Sequence, residues 1–541
     1  MKLLKNPRVR IPRTLRTLLA LLPVGAALGL VLYYIFFPGE GFYHADCTDT
    51  LLWANASYES GQWISADFSY AALLPMGGNL LMLPFLPLFG VSMLTHSLGM
   101  TLFALLFAAG LWFVLRSLDF SKGWAGGLTA ALLLLFSASN KLREIFWGHI
   151  IYYSLSALLV CLLLGLALRF LKGKRKALYL ILLGAASLAS AMNGFQMISI
   201  VLAPVMGALV MERFLDRKQP LLRKENLPQF WLLGTMGCGT LVGLGCMVFV
   251  LHGVQTGYAQ AFSGFSALDK WLDNAKLLLP HWFSLLGLNI RADEPIFSLP
   301  ALLHMLCIFG GTALLVVPLI AALRYRSIRR APLRILLWTH FLMSGVILYG
   351  FICGHLAAAN WRLIPLLFTA ALTTLCFLAE WVREKTTAEL PTRNRVAALA
   401  LAALFAFSLV SGVQIAILPP DYGQDNEHHQ LLAALEAENL TYGYASFWNS
   451  HPITVLSDSR IKVRNVKYTP DGVLRYAYQS SAAWYEEQPG VTEYFLVLEP
   501  GEVETIRDST QYAELFVNRR RAFEIGNYVV WVYDYNPCQI V

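Results

Sequence analysis

Charge is scarce in this chain. Only 14% of its 541 residues are Asp, Glu, Lys or Arg, and 57% are hydrophobic, whereas a soluble globular domain carries about 25% charged residues. That shortage excludes an ordinary water-solvated globule. The usual catalytic and metal motifs are missing too. The eight cysteines contain no Cys-x-x-Cys pair, and six of them (Cys161, Cys238, Cys246, Cys307, Cys353 and Cys376) lie within apolar runs, where they behave as small apolar residues. Dithiol and zinc chemistry are therefore not indicated. There is no GxxxxGK[ST] loop, and no strand is followed by a glycine-rich turn that opens a helix. This argues against ATP-driven transport and against a nucleotide-sugar site.

Long apolar runs take the place of these features. Stretches of about 20 residues, enough to cross the hydrocarbon core of a bilayer, recur along the chain, and the mean hydropathy is +0.54. Eleven spans are expected, near 16–37, 92–115, 124–140, 150–170, 177–195, 197–212, 229–252, 299–322, 335–356, 361–382 and 396–417. The apolar stretch 70–91 contains Pro75, Gly77, Gly78, Pro84 and Pro87 and reads as a packed or re-entrant segment. With a cytoplasmic N-terminus, 27 of the 42 Lys and Arg residues fall on inner segments. Only six fall on outer loops of the membrane domain: Lys141, Arg143, Lys270, Lys276, Arg291 and Arg362. That asymmetry follows the positive-inside rule. The net charge of +8 then anchors inner loops to anionic lipid and calls for no nucleic acid. The first run lacks a small-residue cleavage site and reads as a retained span rather than a signal peptide.

Composition changes after Leu418. Residues 419–541 are expected to form a small α/β domain, with strands at 445–448, 453–457, 461–466, 494–500 and 528–535 and helices at 426–438 and 501–515. The fold class is thus mainly α and polytopic. A transmembrane domain, 1–418, carries outer loops 38–91 and 253–298, and an odd number of spans places the domain 419–541 outside the cytoplasm. The inner loops are short, so chemistry is expected on the outer face.

The first outer loop opens YHADCTDTLLW (43–53). Its five acids, Glu40, Asp46, Asp49, Glu59 and Asp67, have no Lys or Arg partner within the loop. An unpaired carboxylate near a membrane surface faces water, binds a cation, or holds a raised pKa suited to proton transfer. Alternatively, Asp46 and Asp49 cap a short interfacial helix that starts near Thr48. His44 adds a third ligand-type group, but three fall short of the four that a metal site ordinarily needs. No cofactor is expected, and a divalent cation gets little support. Arg143 and His149 in KLREIFWGHIIYY, and Arg362 in NWRLIP, lie at outer ends of spans. There each either pairs with an anion or snorkels to the interface. In the loop 253–298, SALDKWLDNAKLLLPHWFSLLGL fits a helix lying in the interface plane and contains His281. His355 ends the ninth span. In the C-terminal domain Tyr444, Trp448 and Asn449 offer either sugar-binding groups or the core aromatics of a strand.

One resemblance organises these candidates. After a first span, a long outer loop runs from an acidic pair (Asp46, Asp49) through Trp53 and Gly61 to LPMGGNLLMLPFLPLFG, ending at Gly90. This resembles the GT-C class of membrane glycosyltransferases, which includes the protein O-mannosyltransferases and the aminoarabinose transferase of lipid A. A membrane domain of ten or more spans followed by a soluble outer domain fits the same layout. The resemblance implies a donor made of one sugar on a polyprenyl phosphate, and a lipid, glycan or protein acceptor. It also implies that a first-loop aspartate acts as base or orients the acceptor. Asp46 takes that role first and Asp49 second, because the acids here are three apart rather than adjacent. Arg362, three residues before Pro365, resembles the arginine–proline start of a late span in these enzymes. With Arg143 and His149 it is expected to hold the donor phosphate, and His44, Trp53, His281 and His355 are assigned to acceptor or sugar. The implied setting is a bacterial plasma membrane, with membrane lipids as further partners. Two rivals stay open: a transporter or flippase for a lipid-linked glycan, and a non-catalytic envelope scaffold. The first calls for broken helices and polar groups at mid-bilayer depth, for which Asn193 in ASAMNGFQ is the candidate.

Overall fold

In hydrocarbon every backbone N–H and C=O has to find its partner within the chain, so each apolar run is driven into a helix. The computed structural model describes residues 12–173, 175–215, 227–252, 254, 264–383 and 392–538. Among these residues nine helices are long and apolar enough to cross a membrane: Thr14–Phe36, Met93–Ser117, Tyr152–Leu171, Phe195–Arg213, Leu227–Val250, Leu299–Leu323, Ala331–Cys353, Asn360–Arg383 and Asn394–Ala416. The other two expected spans are shorter. Lys122–Leu135 has 14 residues, about 21 Å of helix, and turns by 112° into Asn140–Gly148. Lys176–Met192 has 17 residues. Among the described residues, nine helices of full length, or ten spans if the bent pair is one, thus stand against the eleven expected, and Lys176–Met192 is a shorter apolar helix.

The second shortening has a local cause. The helix Lys176–Met192 stops at Asn193, and Gly194 follows at φ 91, a region open to glycine. Asn193 then clasps the backbone of the re-entrant stretch, accepting from Met76 N–H at 2.8 Å and donating to Met76 C=O at 3.1 Å. That stretch consists of short helical pieces, Asn79–Met82, Leu83–Phe85 and Leu86–Phe89. They pack on the Asp49–Ser60 and Met93–Ser117 helices. Asn360–Arg383 is the axis of the bundle, with 94% of its apolar window buried. The helices Thr14–Phe36 and Lys122–Leu135 meet backbone to backbone: a Cβ on Gly126 would lie 1.9 Å from the Ala20 carbonyl oxygen. Small residues permit such close approach where lipid offers no hydrophobic drive for association.

Among the described residues eight strands form: β1 (Phe68–Ser69), β2 (Tyr442–Ala445), β3 (Lys462–Thr469), β4 (Gly472–Arg475), β5 (Ser480–Ser481), β6 (Tyr494–Leu498), β7 (Arg521–Ile525) and β8 (Tyr528–Tyr533). Six of them form one sheet in the order β4-β3-β2-β6-β8-β7. Here β2 lies between parallel neighbours, and the remaining pairs are antiparallel. The parallel step from β2 to β3 demands a crossover, and the helix Phe447–Leu456 provides it. This corrects the strands expected at 445–448 and 453–457. The β-branched run Ile453, Thr454 and Val455 mimics a buried strand but is the buried face of that helix.

This C-terminal part is fastened to the first outer loop. β1 pairs with β5, Asn426 Nδ2 donates to Gly41 C=O at 2.9 Å, and Ser459 Oγ donates to Val91 C=O at 2.7 Å. The closest approach is at Gly41, where a Cβ would sit 2.0 Å from the Tyr422 carbonyl oxygen. Gly41→Ala is therefore expected to destabilise the protein by about 1–3 kcal/mol. This would be read as a lower unfolding midpoint in detergent and faster proteolysis after Leu418. Gly25→Ala, whose Cβ would meet nothing within 4 Å, should leave the midpoint unlowered.

Candidate active site

The first outer loop folds onto the end of the bundle as a tight turn, Ala45–Thr48, that leads into the helix Asp49–Ser60. Gly61, at φ 65, ends that helix in the left-handed conformation. Asp49 is the first helical residue and Asp46 lies in the preceding turn. Neither element is closed by a side-chain cap hydrogen bond.

Both acids are half-buried, and they differ in their carboxylate oxygens. The Asp49 Oδ1 is enclosed without a hydrogen-bond partner. Burial, with the Asp46 carboxylate next in weight, pushes the Asp49 pKa well above the usual carboxylate range, against smaller opposing pulls from Gln479 and His44. Asp49 is thereby held toward its protonated form. Asp46 is partly exposed, and its carboxylate makes no hydrogen bond or ion pair among the described residues.

A third acid completes the site. The short helix Asn140–Arg143, capped by Ser139 Oγ accepting from Leu142 N–H at 3.1 Å, runs into one wide turn, Glu144–Gly148. This turn closes with His149 N–H on Glu144 C=O at 3.0 Å. Such π-type turns recur at functional sites. The Glu144 carboxylate meets Lys141 Nζ at 2.5 Å, His44 Nε2 at 3.4 Å and His149 Nε2 at 3.7 Å. For His44, burial works against the proton, but Cys47 and Glu144 outweigh it and hold the imidazole pKa well above its ordinary value. Lys141 Nζ also lies 4.5 Å over the Trp361 ring. The next residue, Arg362, donates from Nη1 to the Tyr152 hydroxyl at 3.0 Å and sits 5.8 Å from the Tyr153 ring. His44, Lys141, Glu144 and His149 thus form one polar cluster, Arg362 and Tyr152 form a pair next to it in the chain through Trp361, and Asp46 occupies the turn that follows His44.

Other expected residues lie apart from these groups or serve the scaffold. Arg143 is buried; it donates from Nη1 to Ser137 C=O at 3.1 Å and from Nη2 to Asn140 Oδ1, with its guanidinium 5.6 Å from the Tyr34 ring. Trp53 is fully buried and donates from Nε1 to Gln479 Oε1 at 2.7 Å. His281 is hydrogen-bonded through Nε2 to the Ala357 carbonyl at 2.9 Å, and its ring stands edge-on to Phe351. His355 is exposed. In the C-terminal domain Tyr444 and Asn449 are buried. Asn449 donates to Glu499 at 2.7 Å and accepts from the Tyr528 hydroxyl at 3.0 Å. Of those three candidates only Trp448 is exposed.

Sequence reasoning passed over Lys141, Glu144, Tyr152 and Gln479. All but Gln479 stood in a stretch already singled out for Arg143 and His149. The available signal was an acid within two residues of one of the rare outer basic groups. Between the cluster and the first loop, Tyr34, Tyr43, His96 and Glu144 line a cavity of about 20 Å³. The Tyr43 hydroxyl and His96 Nδ1 are buried without hydrogen-bond partners among the described residues. No three His, Cys, Asp or Glu groups among the described residues are placed to hold a metal ion.

Fold and site together define a class: a multi-pass, mainly helical membrane protein with its polar groups gathered at one end of the bundle. Within that class the chain is similar to ArnT, the lipid A aminoarabinose transferase, from Cupriavidus metallidurans. The apo structure matches with a TM-score of 0.54 at 12% identity, covering 96% of this chain and 98% of that one. The structure bound to undecaprenyl phosphate matches with a TM-score of 0.53 at the same identity and coverage. No family profile matches the sequence, and no curated protein is similar to it. At 12% identity the likeness is one of fold.

Asp49 offers a test by pH. An unfolded aspartate ionises from about pH 4, while the folded chain favours the neutral form of Asp49. Its stabilising contribution is therefore complete below that pH and is lost as pH rises toward the folded pKa. Asp49→Asn is expected to raise the unfolding midpoint at pH 7 by on the order of 2 °C and to leave it unchanged in acid. Scanning fluorimetry across the pH range reads both outcomes.

Proposed function

We propose that this chain is a membrane glycosyltransferase that moves a sugar from a polyprenyl phosphate to a hydroxyl group of a lipid, glycan or protein acceptor at the outer membrane face. One observation carries this reading. On a GT-C architecture covering 96% of the chain, an unpaired first-loop carboxylate, Asp46, lies in the turn after His44, whose partner Glu144 is bound by Lys141, which in turn rests on Trp361, the residue before Arg362. The similar ArnT has been captured with undecaprenyl phosphate, a donor-type lipid that suits such a cation.

The chemistry is a single displacement. The acceptor oxygen attacks the anomeric carbon while the bond from that carbon to the phosphate oxygen breaks. The bonding pair leaves with the polyprenyl phosphate, and configuration at the sugar is inverted. Asp46 takes the hydroxyl proton, since a general base has to be ionised and within reach of the proton. Asp49, held toward its neutral form, keeps a second negative charge away from that base. Arg362, its fork oriented by Tyr152, meets the charge growing on the leaving phosphate.

Asp46→Asn is expected to lower transfer by about 10²–10⁴-fold, the usual worth of a general base, with no change in unfolding midpoint. Asp49→Asn, which imitates a neutral acid, should keep most of the rate. The assay is radiolabelled sugar passing from polyprenyl phosphate to acceptor extracted from membranes. Full activity in a folded Asp46→Asn protein would sink the base assignment. In the same assay Arg362→Gln should cost about tenfold or more, since a hydrogen bond to a charged group contributes about 1.5–3 kcal/mol. Arg362→Lys should recover part of that loss.

A further inference from the structure

The opposite end of the bundle carries a second concentration of charge, which sugar transfer does not use. Three helices connect the two ends. Met93–Ser117 has His96 against Tyr43 at one end, with ring centroids 4.9 Å apart, and Arg116 at the other. Tyr152–Leu171 begins at the Arg362 partner Tyr152 and ends with Arg169, with Lys172 just beyond. Asn360–Arg383 runs from Arg362 to Arg383. At 1.5 Å per residue those two arginines are about 31 Å apart, close to the thickness of the hydrocarbon core.

At that far end Arg116, Arg169, Lys172, Arg175 and Arg383 line a cavity of about 620 Å³ whose only lining acid among the described residues is Asp119. Lys172 pairs with Asp119, and Arg383 reaches Glu380 at 3.4 Å. Arg116 and Arg169 are held by neutral groups instead, Arg116 on the Phe120 carbonyl and Arg169 on Ser117 Oγ at 3.0 Å. Aromatic faces steady two of the guanidinium groups: Arg169 lies 5.9 Å from the Phe113 ring and Arg383 lies 5.4 Å from the Phe120 ring. Arg175 sits on the rim at φ 50, where a residue bearing a Cβ is uncommon.

Basic residues that only anchor helix ends extend separately into water. These converge on one concavity, all but Arg175 held by hydrogen bonds or ring contacts, and the repulsion that Asp119 and Glu380 leave uncompensated is relieved when an anion enters. Guanidinium forks match phosphate oxygens, and the volume falls in the range of about 300–1,000 Å³ typical of small-ligand sites. We propose that this cavity binds a phosphate group, carried either by the head of an anionic membrane lipid or by a soluble phosphate compound. Its place at the helix ends, level with a bilayer surface, suits a lipid head group.

The test uses full-length protein in detergent, stripped of lipid and titrated separately with short-chain phosphatidylglycerol, short-chain phosphatidylcholine and inorganic pyrophosphate. Binding is read by native mass spectrometry and by the unfolding midpoint. Phosphatidylglycerol is expected to bind and raise the midpoint where phosphatidylcholine does not. Arg175→Gln should weaken that binding by about fivefold, and adding Arg116→Gln should weaken it further. Arg175 is exposed, so its substitution leaves the lipid-free midpoint as it was even if Arg116→Gln lowers it. Pyrophosphate binding with the same dependence on Arg175 supports the phosphate site and assigns it to a soluble compound. Equal binding of both lipids without pyrophosphate binding, or binding indifferent to Arg175→Gln, overturns the proposal. Sugar transfer is not the readout, so the result stands apart from the transferase reading.

Discussion

A carboxylate enclosed at a membrane surface has to be neutralised, and the end of the bundle that holds the candidate site is arranged around that requirement. The Glu144 side chain is only 16% exposed, and a buried charge without partners is costly. Its partners come from three segments: His44 from the first loop, Lys141 from one turn earlier in its own segment, and His149 from just beyond the wide turn. Once these contacts form, the turn bearing Asp46 has little freedom, because His44 is its first anchor. Lys141 carries the same constraint onward through Trp361 to the neighbourhood of Arg362. Asp46 and Arg362, from distant parts of the sequence, are thus tied to the same acid through the side chains of His44 and Lys141.

The C-terminal domain holds the same loop from the other side. The helix Phe447–Leu456 packs on the turn Ala45–Thr48. Gln479 receives the Trp53 indole hydrogen bond, and β5 extends the loop through β1. The acidic turn is therefore clamped between bundle and domain rather than left as a mobile surface loop. Transfer chemistry benefits from such support, since a reacting group displaced by about 1 Å can lose a hundredfold in rate. A domain that contributes no residue to the polar cluster still determines where Asp46 stands.

What could be read from sequence alone follows from how local each determinant is. The nine long helices were legible because satisfying the backbone in lipid depends on a run of apolar residues and little else. Lys176–Met192 was read too long because hydropathy does not register the Asn193–Gly194 break. The strand expected at 453–457 failed for a related reason: Ile453, Thr454 and Val455 have strand chemistry, but the parallel pairing of β2 with β3 demands a helix there. The acids of the first loop stood out because no basic residue lay near them in sequence. Glu144 did not, since its meaning depends on His44, a hundred residues earlier. Trp53 has the chemistry of a sugar-stacking ring yet is consumed by a residue 426 positions later.

The division of labour between Asp46 and Asp49 shows the same limit in energetic form. Two carboxylates three residues apart in a poorly solvated turn cannot both ionise cheaply, so one of them retains a proton over a wide pH range. Sequence spacing is symmetric between them and cannot say which one does. The asymmetry comes from the enclosure of the Asp49 Oδ1, whose burial pushes the pKa of that acid up against the smaller opposing pull of Gln479. On this argument the C-terminal domain does more than brace the loop. Its Gln479 amide favours the charged form of Asp49 while burial favours the neutral one, and burial outweighs the amide.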